Sequence, residues 1–274
     1  MILEGKVVSQ AIKDEIRIRT SDLVQQHKVV PHLAAILIGN NGASETYVAN
    51  KIKSCEEAGI KSTLLRFDDN CTQEKLENAI KQLNDDGSVD GILVQLPLPA
   101  HVNEEKIINA IDPSKDVDGF HPVNTGKLAQ GFPSFIPATP YGIMLMLQHY
   151  KIETEGKHAV VIGRSNIVGR PMSILLSQQS YPGNCTVTLC HSRTKNLKEI
   201  CLQADIIVAA LGKPLFLTAD MVKQGAVVID VGITRLPDPS KKSGFAIKGD
   251  VDFENVKEKC SYISPVPGGV GLMT

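Results

Sequence analysis

The chain has 274 residues, with 29 Lys+Arg against 30 Asp+Glu and 42% apolar residues, a balance that suits a globular protein with two modest cores and excludes a disordered tail or a fibre. A formal net charge of -1, with the cations scattered along the chain, gives no global attraction to nucleic acid or to an anionic membrane, so neither is expected as a partner. The N-terminal MILEGKVVSQ lacks a basic segment followed by a long apolar run, and no stretch reaches bilayer-spanning length, so a cytoplasmic protein is expected.

Taken from the N-terminus, the first β-rich run is LAAILI (33 to 38), closed by Gly39-Asn40-Asn41-Gly42. SETYVANKIKSCEEAG (44 to 59) has helical spacing: Val48, Ile52 and Cys55 make a buried stripe, while Ser44, Tyr47, Lys51 and Ser54 step along an adjacent face. Tyr47 and Lys51 thus stand one turn apart on one side, a pattern that a snorkelling surface lysine beside a half-buried tyrosine also fits. STLLRF (62 to 67) is a second strand, and CTQEKLENAIKQLNDD is the helix after it. GILVQL (91 to 96) is a third, and within VQLPLP (94 to 99) it places Gln95 at a carboxyl end, where open α/β sheets bind ligands. DVDGFHP (116 to 122) holds two carboxylates beside Gly119. Asp118-Gly119 could be a simple turn, or Asp118 could pair with the amino group and ring N–H of a heterocycle.

GFPSFIPATPYG (131 to 142), with three prolines and two glycines, is the candidate domain junction, followed by helical IMLMLQHY. AVVIG (159 to 163), a helix opening near Gly169-Arg170-Pro171 and TVTLC (186 to 190) make a βαβ unit whose helix N-terminus favours a pyrophosphate. The spacing Gly163-x5-Gly169 matches neither common nucleotide fingerprint, and a structural turn fits it equally well. The second strand ends in Cys190-His191-Ser192-Arg193-Thr194, with no carboxylate for the ribose hydroxyls of NAD. Arg164, Ser165 and Ser192 offer a cation and hydroxyls suited to a phosphate-bearing ribose, whereas Arg193 reads as solvated. ADIIVAA (204 to 210) and AVVIDVG (226 to 232) bring Gly212, Gly232 and Ile233 to further strand ends, and the chain closes on SPVPGGVGLMT. Continuous apolar strands alternating with helices, twice over, give the fold class: α/β, two α/β domains with parallel sheets covered on both faces.

Cys55, Cys71, Cys185, Cys190, Cys201 and Cys260 form no Cys-x-x-Cys and no zinc-type spacing with histidines, so they read as core hydrophobes and no metal is expected. His121 and His191 lie beside candidate site residues, and each reads more simply as a solvated loop histidine.

Together Tyr47-x3-Lys51, VQLPLP, KDVDGFHP, PATP (137 to 140), GRSNIVGRP and PVPGGVG resemble the bifunctional methylenetetrahydrofolate dehydrogenase/methenyltetrahydrofolate cyclohydrolase family, in order and over nearly the whole chain. The resemblance implies a folate-binding catalytic domain (1 to 140), a Rossmann-like NADP-binding domain (141 to 274) ending in the Gly/Pro-rich loop that returns to the cleft, and a homodimer through the cofactor domains. It implies Lys51 as the catalytic lysine, Gln95 as its hydrogen-bond partner, Tyr47 stacking on the folate and Asp118 anchoring the pterin. Val94, Leu96, Pro265, Gly268, Gly269 and Val270 would line the folate site, and Thr139, Gly163, Arg164, Ser165, Ser192, Gly212, Gly232 and Ile233 would bind NADP. The substrates would be one-carbon derivatives of tetrahydrofolate.

Three departures stand out. Ala138 replaces a cysteine usual in the family, Leu272 stands where a proline is usual, and the sequence stops at Thr274, short of the C-terminal helix that the resemblance implies. The last of these leaves open a catalytically impaired or silent NADP- and folate-binding module. An amino-acid dehydrogenase of similar domain plan rests on fold analogy alone, and VQLPLP and DVDG speak against it.

Overall fold

The structure is a computed structural model that describes residues 1–241 and 244–274. In chain order its elements are α1 (Gly5–His27), β1 (His32–Ile38), α2 (Gly42–Glu57), β2 (Lys61–Phe67), α3 (Gln73–Asp85), β3 (Gly91–Val94), α4 (Glu104–Ala110), α5 (Pro122–Gln130) and α6 (Ala138–His149). They continue with β4 (His158–Ile162), α7 (Gly169–Ser177), β5 (Thr186–Cys190), α8 (Leu197–Gln203), β6 (Ile206–Ala209), β7 (Val227–Asp230), β8 (Thr234–Pro237), β9 (Phe245–Lys248), α9 (Phe253–Val256) and β10 (Tyr262–Ile263).

The chain divides into two compact units. One comprises residues 10–127 and 133–136, the other residues 1–9, 128–132 and 137–274. The first holds a parallel sheet in the order β2-β1-β3. All four residues of β3 are buried, as a strand covered on both faces requires. In α3, Leu76, Ala79, Ile80 and Leu83 recur at helical spacing and are buried, and the Thr72 side chain caps the helix by accepting the Lys75 N–H at 3.3 Å. Ile36, Leu76, Ile80, Ile92 and Ile107 form the centre of this core.

The second unit carries a five-stranded parallel sheet in the order β10-β7-β6-β4-β5, with a separate antiparallel hairpin β8-β9. Val160, Ile207, Val228 and Ile263 lie at the centre of its core. The two α/β units with parallel sheets are those expected from the alternating apolar runs.

Both sheets begin with the same device. At the start of β1, the His32 N–H donates to Asp90 Oδ2 (2.8 Å) and the Asp90 N–H returns to the His32 carbonyl (3.0 Å). The ring bridges the Ser88 carbonyl through Nδ1 (2.9 Å) and Thr63 Oγ1 on β2 through Nε2 (2.8 Å). At the start of β4, His158 repeats each contact with Asp205, the Gln203 carbonyl and Thr188 on β5. A carbonyl only accepts, so Nδ1 donates in both rings and Nε2 is left to the threonine hydroxyl. Each staple ties the first strand to its neighbours on either side, so the opposite, carboxyl-terminal edge is left for loops.

Candidate active site and cofactor edge

In the unit of residues 10–127, α2 starts directly after the β1 turn. Gly39 leaves the strand with φ +73°, and a Cβ there would lie 2.6 Å from Asp69 Oδ1, so the turn needs glycine. The Ser44 N–H is capped by Asn41 Oδ1 at 3.2 Å. Val48 and Cys55 are buried, Ile52 is half-buried, and Ser44 is buried rather than lying along the open face with Tyr47. Tyr47 is 40% exposed, while Lys51 is half-buried.

The spacing alone leaves Lys51 ambiguous, and the structure adds a partner for it. Lys51 Nζ donates to Gln95 Oε1 at 3.4 Å. Gln95 stands one residue beyond β3, its N–H held by the Ile36 carbonyl (2.9 Å) and its Nε2 by the Leu96 carbonyl (2.7 Å). Those two bonds orient the amide so that its oxygen is the atom left for the ammonium. Val94 is buried and Leu96 half-buried, so only the latter has side-chain surface to offer a ligand.

The DVDG segment sorts its two carboxylates. Asp116 points inward, 2% exposed, and accepts the Phe120 N–H (3.4 Å), the His121 N–H (2.9 Å) and Asn124 Nδ2 (2.9 Å), so it builds the loop. The Ile92 N–H donates to the Lys115 carbonyl at 2.7 Å and anchors the loop to β3. Gly119, at φ +68°, passes so close to the Phe135 carbonyl oxygen that a Cβ would lie 2.8 Å away. Asp118 is thereby set near Lys51. Burial pushes its carboxyl above the ordinary range, the Lys51 ammonium draws it back, and Asp116 adds to the rise. His121 Nδ1 accepts the Val123 N–H (3.1 Å) and His191 Nδ1 the Arg193 N–H (3.2 Å); both serve local turns.

In the other unit the candidate residues follow the carboxyl ends of successive parallel strands: Gly163, Arg164 and Ser165 after β4, Ser192 after β5, Gly212 after β6, Gly232 and Ile233 after β7, and Pro265 after β10. The sheet's switch point lies between β4 and β6, where ligands of open α/β sheets bind. There Gly163 (φ +122°) is indispensable, because a Cβ would lie 2.0 Å from the Ala210 carbonyl oxygen. Gly169 likewise has no room, with a Cβ 1.9 Å from the Gly163 carbonyl oxygen. Ser165 Oγ accepts the Val168 N–H (3.1 Å) and the Gly169 N–H (3.4 Å), which steadies the start of α7. The Arg164 side chain is exposed and forms no ion pair or hydrogen bond among the described residues. The Gly163 N–H donates to the Cys190 carbonyl (2.9 Å), so the turns carrying Arg164 and Ser192 leave adjacent strands side by side.

The closing loop is tightly built. The Gly5 N–H donates to the Gly268 carbonyl (2.9 Å), Thr139 Oγ1 and Thr274 Oγ1 are 2.9 Å apart, and a Cβ on Gly142 would lie 2.7 Å from Met273 Cβ. Pro265 is half-buried and Val270 is 2% exposed, so Val270 has only backbone to present. Among the described residues no group of three or more His, Cys, Asp or Glu side chains converges as a metal site would, and no helix is long and apolar enough to cross a membrane.

Residues 3–118 match the family model described as tetrahydrofolate dehydrogenase/cyclohydrolase, catalytic domain, and residues 137–274 match the NAD(P)-binding domain of the same family. The chain belongs to the tetrahydrofolate dehydrogenase/cyclohydrolase family. Its relatives include bifunctional FolD proteins of Porphyromonas gingivalis (58% identical) and Flavobacterium johnsoniae (59%), each match covering 100% of this chain and 92% of the relative. Among solved structures, the bifunctional FolD of Campylobacter jejuni has a TM-score of 0.93 at 50% identity, covering 100% of this chain and 93% of that one. That of Trypanosoma brucei, complexed with NADP cofactor and an inhibitor, has a TM-score of 0.94 at 36% identity, covering 100% and 92%.

Within this member of the tetrahydrofolate dehydrogenase/cyclohydrolase family, sequence reading missed a buried pair, Asp230 and Asp250, that accepts hydrogen bonds from the turns after β6 and β7. The signal available was GD at 249–250: Gly249 must be glycine because a Cβ would lie 1.9 Å from Asp230 Oδ2. No local pattern names that partner 20 residues upstream.

Proposed function

We propose that this chain oxidises 5,10-methylenetetrahydrofolate to 5,10-methenyltetrahydrofolate with NADP and hydrolyses the product to 10-formyltetrahydrofolate. The observation that carries the reading is the Lys51 Nζ–Gln95 Oε1 contact beside Asp118, at the carboxyl edge of a parallel sheet. Family membership supports both activities.

NADP, when bound, accepts the hydride that leaves the methylene carbon. Gly163 fits such a cofactor because it lets the turn after β4 pack against the Ala210 carbonyl at the switch point, and Arg164 fits a 2′-phosphate because its guanidinium is unengaged beside the Ser192 turn. Ser165 would add a hydroxyl, Gly212, Gly232 and Thr139 would offer backbone or hydroxyl contacts, and Ile233, 46% exposed although apolar, would supply an apolar contact. Asp118 anchors the pterin by a paired hydrogen bond, and its desolvated carboxyl suits a buried heterocycle. Tyr47 stacks on the folate, with Leu96 lining the site and Val94 contributing backbone.

In the hydrolytic step a water oxygen bonds to the methenyl carbon and loses a proton. The C–N5 bond then breaks, N5 takes up a proton and the hydroxyl gives up its own, which leaves a formyl group on N10 and one proton released overall. Lys51 moves those protons at Nζ, and Gln95 Oε1 keeps the ammonium aimed. Hydride transfer needs chiefly the alignment of two bound partners.

The test is one spectrophotometric assay with methylenetetrahydrofolate, following nicotinamide reduction and methenyl accumulation together with NADP and then NAD. No reduction with either cofactor overturns the reading. We further propose a cytoplasmic homodimer assembling through the NADP-binding unit, and sedimentation equilibrium giving only the monomer mass refutes the dimer.

A further inference from the structure

Behind the cofactor edge lie two carboxylates, Asp230 (2% exposed) and Asp250 (0% exposed), and no cationic side chain pairs with either among the described residues. Such groups are costly to bury unless hydrogen bonds compensate. Backbone N–H groups do so here. Asp250 Oδ2 accepts from Leu211 (2.7 Å) and Gly212 (2.9 Å). Asp230 Oδ1 accepts from Gly232 (3.0 Å) and Asp250 (2.8 Å), and Asp230 Oδ2 from Val251 (3.0 Å). The Asp230 N–H in turn donates to Ser264 Oγ at 2.7 Å. Three turns that leave strand ends are thereby tied to one another: that after β6, that after β7 and that after β10.

One atom is left over. Asp250 Oδ1 is buried without a hydrogen-bond partner, and it fills the space beside Gly232, where a Cβ would lie 2.3 Å from it. A structural core would be served more cheaply by an apolar side chain of that size. What the carboxylate does that an apolar group cannot is accept two N–H groups from the turn after β6 while pressing against the turn after β7.

We infer that Asp250 is a positioning residue for the NADP site, holding the Leu211–Gly212 and Gly232 turns at one spacing without touching the cofactor itself. The inference rests on the reading that Gly212 and Gly232 face NADP. Because both turns belong to the cofactor edge, loss of the carboxylate is expected in the KM for NADP and not in that for the folate. Asparagine keeps an oxygen in the Oδ2 position and is expected to rescue.

The experiment uses the full chain and compares wild type, Asp250→Ala, Asp250→Asn and Arg164→Ala in NADP-dependent oxidation, with methenyl hydrolysis on the same preparations as a check of fold. A tenfold or larger rise in KM for NADP in Asp250→Ala, with the folate KM within twofold and Asp250→Asn within threefold of wild type, supports the inference. An unchanged KM for NADP in Asp250→Ala overturns it, as does equal loss of NADP affinity and hydrolysis in both Asp250 variants. Should Asp250→Ala fail to fold, Gly232→Ala displaces the same carboxylate, and an unchanged KM for NADP there overturns it equally. Failure of the NADP reading is distinct: Arg164→Ala would then leave the KM for NADP where it was.

Discussion

Raising the pH through the titration of Asp230 is expected to weaken the fold. Burial pushes this carboxyl up to about 6 from the ordinary 3.8; the backbone N–H groups of Asp250, Val251 and Gly232 pull it down, and the Asp250 charge adds to the rise. Between about pH 4 and pH 6 the folded chain holds a proton that the unfolded chain has released. More protons bound in the folded state means that stability falls as pH rises, so the contribution is whole below about pH 4 and lost above about pH 6. At about 1.4 kcal/mol for each tenfold change in proton affinity, the full effect is about 3 kcal/mol. Urea unfolding of wild type and Asp230→Asn at steps from pH 4 to 7.5 isolates it, since the amide has the same volume and does not titrate. The wild-type advantage is expected to shrink by about 3 kcal/mol across the window. A pH-independent difference between the two proteins would refute the argument that the buried carboxyl keeps its proton.

Three further outcomes can be checked. Lys51→Met is expected to lower methenyl hydrolysis by about 100-fold or more, the scale of a lost general acid–base group, with NADP binding by calorimetry unchanged; retained hydrolysis removes Lys51 from the mechanism. Arg164→Ala is expected to raise the KM for NADP by about 10- to 100-fold through loss of a charge-assisted contact, with little effect on NAD; equal losses return the arginine to a structural role. Gly163→Ala combines a disfavoured φ of +122° with a Cβ 2.0 Å from the Ala210 carbonyl oxygen. It is expected to destabilise the chain by about 3 kcal/mol and to abolish NADP binding, measured by denaturation and calorimetry.

The parts of the fold legible in the sequence are those with a local physical cause. Short apolar runs such as β3, β6 and the Val227–Ile229 stretch of β7 are fully buried because parallel strands are covered on both faces. By contrast, α1 has no clean stripe: Val7, Ile18 and Leu23 are exposed while Thr20 is buried, so periodicity does not announce a 23-residue helix. The hairpin of β8 and β9 escaped for another reason, since its strands are only four residues long and one contains a proline. At the site, spacing put Lys51 on a face but said nothing of what stood opposite; Gln95 is 44 residues away in sequence. Nor does the string DVDG tell which aspartate turns inward. That depends on Asn124 and on two backbone N–H groups farther along.

The duplicated histidine staple assigns equivalent addresses in the two sheets. Counting from Asp90 and from Asp205, Gln95 and Ala210 stand at the same step, and each donates its N–H to the strand next to it, to the Ile36 and the Ile162 carbonyl. One address, at the switch point of a three-strand motif, therefore holds a long amide in one copy and a bare methyl in the other. The amide reaches the Lys51 ammonium, while on the other sheet it is the Ala210 carbonyl that lies against Gly163, where no Cβ fits. On the function proposed above, proton handling and nucleotide docking become two settings of a single backbone position, and exchanging the side chains at 95 and 210 is expected to lower both methenyl hydrolysis and NADP binding.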